Sequence, residues 1–540
     1  MSLMRSSAIM ASGTVVSRIT GIARDIAMTA ALGFFITSDA FSLGNTLPNI
    51  IAILVAGGAL NAVFIPQLVR HIKDDEDKGA AYADRLLTVI TLWLIVVTAV
   101  AMLLAPQLVS LYASADYTAA HAALATAFAR WCLPQIVFYG LFTMWSQVLN
   151  ARGHFAAPMF APILNNIVAI GTFMVFIAIT PHADIVNATL SSQQVNVLGA
   201  GTTLGVVAQA MVLLPLLRKH GYKFRPRFDI RGNGLGKAGS LALWTLGLVF
   251  VNQLAYIVVT RLATSANVQA VAEGVTAAGL TTYQKAHLIF MLPHSVITVS
   301  IVTALLPELS RSAHAGKLVD VGRSVADASR NVAALVVPTA AVLLVTAPSL
   351  TRVMFGFGTA TSDSAAVTGN VVQVLVLGLL PFTLVYMLFR GWYAIEDTKS
   401  PFLITLLING VNLALALLVT AMAPIGLKIE ALALAYTVAY WVALLVAWPA
   451  LQRRLGDLET SHTVRSLVRI SVAAGGAATI GWLSFSLLQS SVATAGHFAL
   501  FALLVLVAAV TLASYVVIGH RMHIREVTWA VAAVRKRLPF

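Results

Sequence analysis

Charge is scarce in this sequence. Asp, Glu, Lys and Arg make up 10% of its 540 residues, against 59% apolar side chains and a mean hydropathy of +0.86. A soluble domain carries about 25% charged residues, so a soluble fold of this length would lack the polar surface to cover itself. The composition is that of an integral membrane protein. Cysteine is nearly absent: one residue, Cys132, excludes an internal disulfide, and its setting between Trp131 and Leu133 is that of inert packing. Acidic residues are scarcer than basic ones, 21 against 35, for a net charge of +14. In a soluble protein such an excess points to nucleic acid; in a polytopic membrane protein it follows from positively charged cytoplasmic loops, and no nucleic-acid partner is expected.

Motifs for chemistry are missing too. There is no H-E-x-x-H, no cysteine pair and no histidine cluster at metal-ligand spacing. The stretch Arg231–Ala238 resembles a phosphate loop, but Arg231 stands where the first glycine belongs and Ala238 where Ser or Thr should follow. No ATP site and no cofactor are expected, which leaves membrane potential or an ion gradient as the drive. Asp39, Asp116 and Asp184 are scattered singly over short loops, a poor basis for a membrane glycosyltransferase or hydrolase. The chain is read as a transporter.

Long apolar runs dominate what remains. About 20 apolar residues span a bilayer, and fourteen such segments are predicted, near 6–33, 41–69, 86–112, 119–149, 157–180, 196–217, 238–262, 275–308, 328–354, 367–389, 401–424, 429–451, 466–489 and 496–519. Arg18, Arg24 and Asp25 inside the first exclude a cleavable signal sequence. Pro48, Pro134, Pro293 and Pro381 should kink their segments. An even number of crossings puts both termini on one side. The loops after even-numbered segments, with the C-terminal tail, hold 27 of the 35 basic residues, which places them and both termini in the cytoplasm.

An internal repeat organises these segments. Pro158 and Pro401, Ala151 and Ala394, and Asn166 and Asn409 all stand 243 positions apart. Leu47-Pro48 through Pro66 is echoed by Leu292-Pro293 through Pro307. The predicted fold is all-α: two six-helix lobes around a central cavity, at 1–217 and 238–451, joined by a basic cytoplasmic linker at 218–237. Two added helices at 452–519 and a basic cytoplasmic tail at 520–540 follow. Repeat interfaces at the bilayer midplane are where transporters place substrate sites.

The first segment carries the sharpest signal. With Arg18 at 0° and about 100° per residue, Ser7, Thr14, Ser17, Gly21, Arg24, Asp25 and Thr29 fall within an arc of roughly 140°. Charges within a membrane face a bundle interior or a water-filled cavity. A structural Arg–Asp pair is one reading; a polar cavity wall better explains two arginines against one carboxylate, and the uncompensated charge suits a phosphate-bearing ligand. Asp39, at the outer end of segment 2, reads equally as a helix cap or as a gating or ion-sensing group. Lys285 is the firm cation of the second lobe, with snorkelling to the interface as its alternative. Arg130 beside Trp131 is a weaker cavity candidate, and Asn252 and Gln253 can bond across helices.

These residues resemble a known family. Ser17-Arg18-Ile19-Thr20-Gly21-Ile22-Ala23-Arg24-Asp25 is similar to the S-R-x-x-G-x-x-R-D of the first helix of MurJ (MviN) proteins, lipid II flippases of the multidrug/oligosaccharidyl-lipid/polysaccharide exporter superfamily. Ser38-Asp39-Ala40-Phe41, Leu47-Pro48-Asn49, Gly58–Pro66, Leu149-Asn150 with Pro158, and Tyr393–Pro401 follow at the family's places. The resemblance implies fourteen helices, the last two forming a lipid-accessible groove. It also implies transport of an undecaprenyl-diphosphate-linked peptidoglycan precursor to the outer leaflet of the bacterial cytoplasmic membrane. Lipid II, membrane lipids and cell-wall synthesis proteins are the implied partners. Arg18, Arg24 and Asp25, with Ser17, Asn49 and Lys285, are the implied substrate-binding residues, and Asp39 the gating one. The chain departs from the pattern at Ala52, where a further arginine is often found, and near Leu288, where Lys285 would supply a second-lobe charge from the same helix face. Segments 7 and 11 hold no convincing carboxylate for sodium. The alternatives are a flippase for another lipid-linked saccharide and a cation-coupled multidrug antiporter, which would want acidic rather than basic cavity residues.

Overall fold

The computed structural model describes residues 3–54, 79–228, 239–492 and 496–528. The Gly58–Pro66 motif, the second segment beyond 54, the phosphate-loop-like stretch at 231–238 and the tail from 529 lie outside the described residues. Among the described residues the chain is all-helical. Eleven helices are long and apolar enough to cross a membrane, or twelve if one pair bent by 51° is a single span. Fourteen is thus an approximate count. The first helix, diluted by Arg18, Arg24 and Asp25, and the second are not among the eleven.

The chain divides into two compact units: Met1–Glu273 with Gly279–Thr281 and Gly358–Ala360, and Gly274–Ala278 with Thr282–Phe357 and Thr361–Phe540. The helices of the first unit are α1 (Leu3–Leu32), α2 (Ile36–Ala52), α3 (Ala80–Leu103), α4 (Ala105–Tyr112), α5 (Ala119–Cys132), α6 (Gln135–Ala151), α7 (Ala156–Ile179), α8 (His182–Val186), α9 (Ser192–Met211), α10 (Leu213–Lys219) and α11 (Gly239–Ala272). The sequence places α11 in the second lobe, but it clusters with the first unit. Arg261 Nη1 donates to the Ser110 carbonyl at 2.8 Å, the Ser114 amide donates to Thr264 Oγ1 at 2.9 Å, and Ser265 bonds Asp116.

The second unit holds α12 (Leu280–Pro293, whose first two residues belong to the first unit), α13 (Val299–His314), α14 (Leu318–Phe355), α15 (Ser362–Val376), α16 (Leu379–Ala394), α17 (Lys399–Met422), α18 (Lys428–Leu455), α19 (Thr460–Val492) and α20 (Gly496–Arg521). All four prolines expected to kink a segment sit at or near a break. Pro134 separates α5 from α6, Pro293 precedes a π turn at His294–Thr298, Pro381 follows the bend between α15 and α16, and α2 widens into π geometry shortly after Pro48.

Packing follows membrane rules. Where α14, α19 and α20 meet, Ala333, Ala473 and Ala477 are fully buried, because small residues let helix backbones approach where no hydrophobic drive operates. In the first unit Tyr82, Leu87, Trp145, Leu149, Leu213 and Tyr222 form a core between α3, α6 and α10, closed by a Tyr222 hydroxyl donating to Asp84 Oδ1 at 2.7 Å. Leu92, Trp93, Ile95, Val96 and Leu103 of α3 are exposed, a surface that only lipid would favour.

Candidate functional site

The charged helix α1 runs unbroken to Leu32 and stops at Gly33, whose φ of +62° is in the left-handed region that favours glycine. Its predicted polar arc divides in two. Gly13 and Gly21 meet α7, the Thr14 hydroxyl donates to Met159, and Asn166 of α7 donates to the Ser17 carbonyl at 3.2 Å and to Thr20 Oγ1 at 2.9 Å. Ser17 is accordingly half-buried on the α7 side. Arg18 is exposed beside Val15 and Ile19, and no carboxylate among the described residues pairs with it.

Further along α1, Arg24 Nη2 lies 3.3 Å from Asp25 Oδ2, with the arginine side chain 37% exposed and the carboxylate 10%. Arg24 is thus paired with Asp25, while Arg18 pairs with no carboxylate among the described residues. In a low-dielectric setting the excess positive charge is costly unless an anion shares it.

Asp39 is fully buried in the first turn of α2, and it does not cap that helix. Its Oδ1 accepts from the Thr281 amide at 2.7 Å, and its Oδ2 from the Leu280 amide at 3.0 Å and from Asn267 Nδ2 at 2.7 Å. Leu280 and Thr281 open α12, so the carboxylate satisfies the orphan amides of a helix remote in sequence and sits at the positive end of its dipole. The hydroxyls of Ser38 and Ser42 both lie 3.0 Å from Thr281 Oγ1. Asn267 also donates to the Phe34 carbonyl at 3.1 Å. Gly279 is required beside this knot, since a Cβ there would collide with the Asp39 carboxylate. Asp39 is thus a cap in trans, tying α2 to α11 and to the start of α12.

Asn49, one residue after Pro48, is exposed on α2. Lys285 lies in the second unit and is buried, 5% exposed, on α12. Its helix carries an aromatic neighbourhood: His287 stacks on Tyr283 and meets Tyr436 edge-on at 5.6 Å, and His294 meets Phe382 and Tyr386 edge-on, both at 4.7 Å. Arg390, which the sequence reading assigned to a cytoplasmic loop, lies inside α16 with its guanidinium 4.2 Å from the Tyr386 ring centroid and 5.6 Å from that of Tyr393. The signal for it was available: tyrosines four residues before and three after an arginine share its helix face.

A helical chain of two units, with eleven or twelve apolar helices of membrane length among the described residues and an arginine without a carboxylate partner on α1, has the architecture of a polytopic membrane protein. A solved inward-facing conformation of a multidrug resistance MATE family transporter of the MOP superfamily shares the fold with a TM-score of 0.62 over 82% of this chain and 96% of that one, at 15% identity. A structure described as lipid II flippase MurJ, inward closed conformation, shares it with a TM-score of 0.71 over 95% of this chain and 99% of that one, at 17% identity. The family model for lipid II flippase MurJ matches residues 28–518, and the chain belongs to that family. Relatives include a probable lipid II flippase MurJ of Rhizobium tropici, 30% identical over 84% of this chain and 82% of its own, and the lipid II flippase MurJ of Burkholderia cenocepacia, 28% identical over 74% and 75%.

Proposed function

We propose that this protein is a lipid II flippase, carrying the diphosphate-linked peptidoglycan precursor from the inner to the outer leaflet of the bacterial cytoplasmic membrane by alternating access. The observation that carries the reading is the charge on α1, where Arg24 pairs with Asp25 and Arg18 pairs with no carboxylate among the described residues, in a chain of the lipid II flippase family. Guanidinium forks match phosphate oxygens bidentately. In this reading Arg18, Arg24 and Lys285 bind the diphosphate, Asp25 orients Arg24, and Ser17 and Asn49 contribute polar contacts. The prenyl tail stays in lipid.

Asp39 is the gate residue. Three hydrogen bonds hold the outer ends of α2, α11 and α12 together, and their release would accompany outward opening. Both termini and the basic loops face the cytoplasm, and the membrane potential or an ion gradient drives the cycle. Cell-wall synthesis proteins are further partners by the same reading.

A flippase for a different lipid-linked saccharide would use the same diphosphate contacts, and a cation-coupled antiporter would want acidic residues where Arg18 and Arg24 stand. The experiment is complementation of a bacterial strain depleted of its own lipid II flippase. Restored growth with externally accessible lipid II is the expected result, and lysis despite membrane expression would overturn the assignment.

A further inference from the structure

A groove of about 730 Å³ opens on the first unit, lined by residues of α3, α5, α9 and the loop before α9 and by none of α1 or the Asp39 knot. The groove is lined by the small-residue face of α5, with Ala120, Ala123, Leu124 and Ala127, and by the loop before α9 and the start of α9, with Thr189 and Ser192. Ala188 in that loop has a left-handed conformation, φ 55°, which a non-glycine residue adopts at a cost. Arg130 and Trp131 close one end.

Trp131 is fixed rather than loose. Its Nε1 donates to Asn196 Oδ1 at 2.8 Å, its carbonyl accepts from Thr203 Oγ1 at 2.7 Å, and Gly199 of α9 admits it where any Cβ would clash. Arg130 is exposed beside it, and no carboxylate among the described residues pairs with it. Asp184, four residues before Ala188, is engaged by Gln194 Nε2 at 3.1 Å.

Depth identifies the surroundings. The α5–α6 span covers Ala119–Ala151, 33 residues, or about 50 Å at 1.5 Å per residue, against a hydrocarbon core of about 30 Å. With the helix end at Ala151 taken as the inner boundary, about 20 residues reach back to Cys132 and Trp131, which would put Arg130 and Trp131 at headgroup level, where tryptophan is at home. The alanine wall continues toward the aqueous side.

We propose that this groove binds the headgroup of an anionic glycerophospholipid. Its phosphodiester lies against Arg130, the polar head is flanked by the Thr189 and Ser192 hydroxyls, and the glycerol end passes Trp131 into the bilayer. A single guanidinium balances a singly charged phosphodiester, whereas a diphosphate would call for a second cation. The leaflet occupied rests on the membrane orientation proposed above; the headgroup chemistry does not.

The test uses the full chain in vesicles of phosphatidylcholine carrying either brominated phosphatidylglycerol or brominated phosphatidylcholine. Quenching due to Trp131 is read as the difference between the wild type and Trp131→Phe, since the chain has nine tryptophans. The expected result is about fivefold enrichment of phosphatidylglycerol at Trp131, the effect of one basic residue on an anionic lipid. Arg130→Gln should abolish it and Arg130→Lys should retain most of it. Ala123→Phe, which fills the wall and leaves the charge, should also abolish it. Enrichment that survives Ala123→Phe would mean general surface attraction and overturn the proposal. So would displacement of the lipid by inorganic phosphate, or by undecaprenyl diphosphate at lower concentration than phosphatidylglycerol. Whichever way complementation turns out, this measurement reads the groove alone.

Discussion

Glu396 holds a left-handed backbone, φ 59°, at the place where the first half of the chain has Gly153, φ 80°, 243 positions earlier. The hydrogen bonds around the two residues repeat at the same offset. Gly153 N and His154 N donate to Asn150 O and Leu149 O, and Glu396 N and Asp397 N donate to Tyr393 O and Trp392 O. Both are Schellman closures of a helix end, and only one has the residue that adopts the conformation freely. Gly153 has open space around its missing Cβ, so Gly153→Ala should cost about 1 kcal/mol through the backbone alone. Glu396→Gly should be neutral or stabilising. Thermal unfolding of the purified protein checks both. Asp39 makes a sharper case. Asp39→Ala would strand two helix-end amides and Asn267, a loss of about 1.5–3 kcal/mol for hydrogen bonds to a charged group; Asp39→Asn should lie between, and equal melting temperatures would refute the cap. The sequence made the Arg24–Asp25 pair legible because its members are neighbours. It could not show what Asp39 binds, since Asn267 and Thr281 stand 228 and 242 positions away.

Among elements, α7 and α17 show how far the repeat reaches. Ala156 and Lys399 open them and Ile179 and Met422 close them, each pair 243 positions apart, with Asn166 and Asn409 buried at matching places. Every predicted segment contains helix, because apolar runs of membrane length leave the backbone no other partner. The boundaries were less legible. The segment expected from 328 begins at Leu318, and Arg330, counted among cytoplasmic loop charges, is buried inside α14 with its side chain 3% exposed. It bonds Asp327, Glu459 at 2.9 Å and the Thr463 hydroxyl at 2.9 Å, with Glu526 at 3.8 Å. Three of those partners come from beyond α18, so only the Asp327–Arg330 spacing was visible beforehand. Arg330→Met should destabilise the protein by up to about 3 kcal/mol, because it leaves Glu526, 9% exposed, and the partly buried Glu459 without their counter-charge, while Asp327 is already open to solvent. A thermal shift below a few degrees would show the knot to be incidental.

For the whole molecule, composition alone dictated a multi-pass membrane protein, and the family follows from residues spread along nearly its whole length. The division into units was only partly legible, since the hydrogen bonds that hold α11 in the first unit come from Ser110 at the end of α4 and from Asp116 in the loop after it, residues without any motif of their own. Orientation is the proposal most directly exposed to test. Cysteines placed at Asp116 or Asp184 should react with an impermeant maleimide from outside, and one at Asn233 only after permeabilisation, with native Cys132 silent because it is buried. The reverse pattern would invert the topology. The central claim concerns the charge on α1, and outer-leaflet lipid II at matched protein levels measures it. Arg24→Ala removes a charge-assisted bond worth about 1.5–3 kcal/mol and leaves Asp25 facing the diphosphate, so flipping should fall by more than about tenfold. Arg24→Lys, keeping charge without the fork, should be impaired but active, and Asp25→Asn should slow transport while binding survives. Normal flipping by a well-expressed Arg24→Ala variant would contradict the account and leave Arg24 and Asp25 as a structural pair.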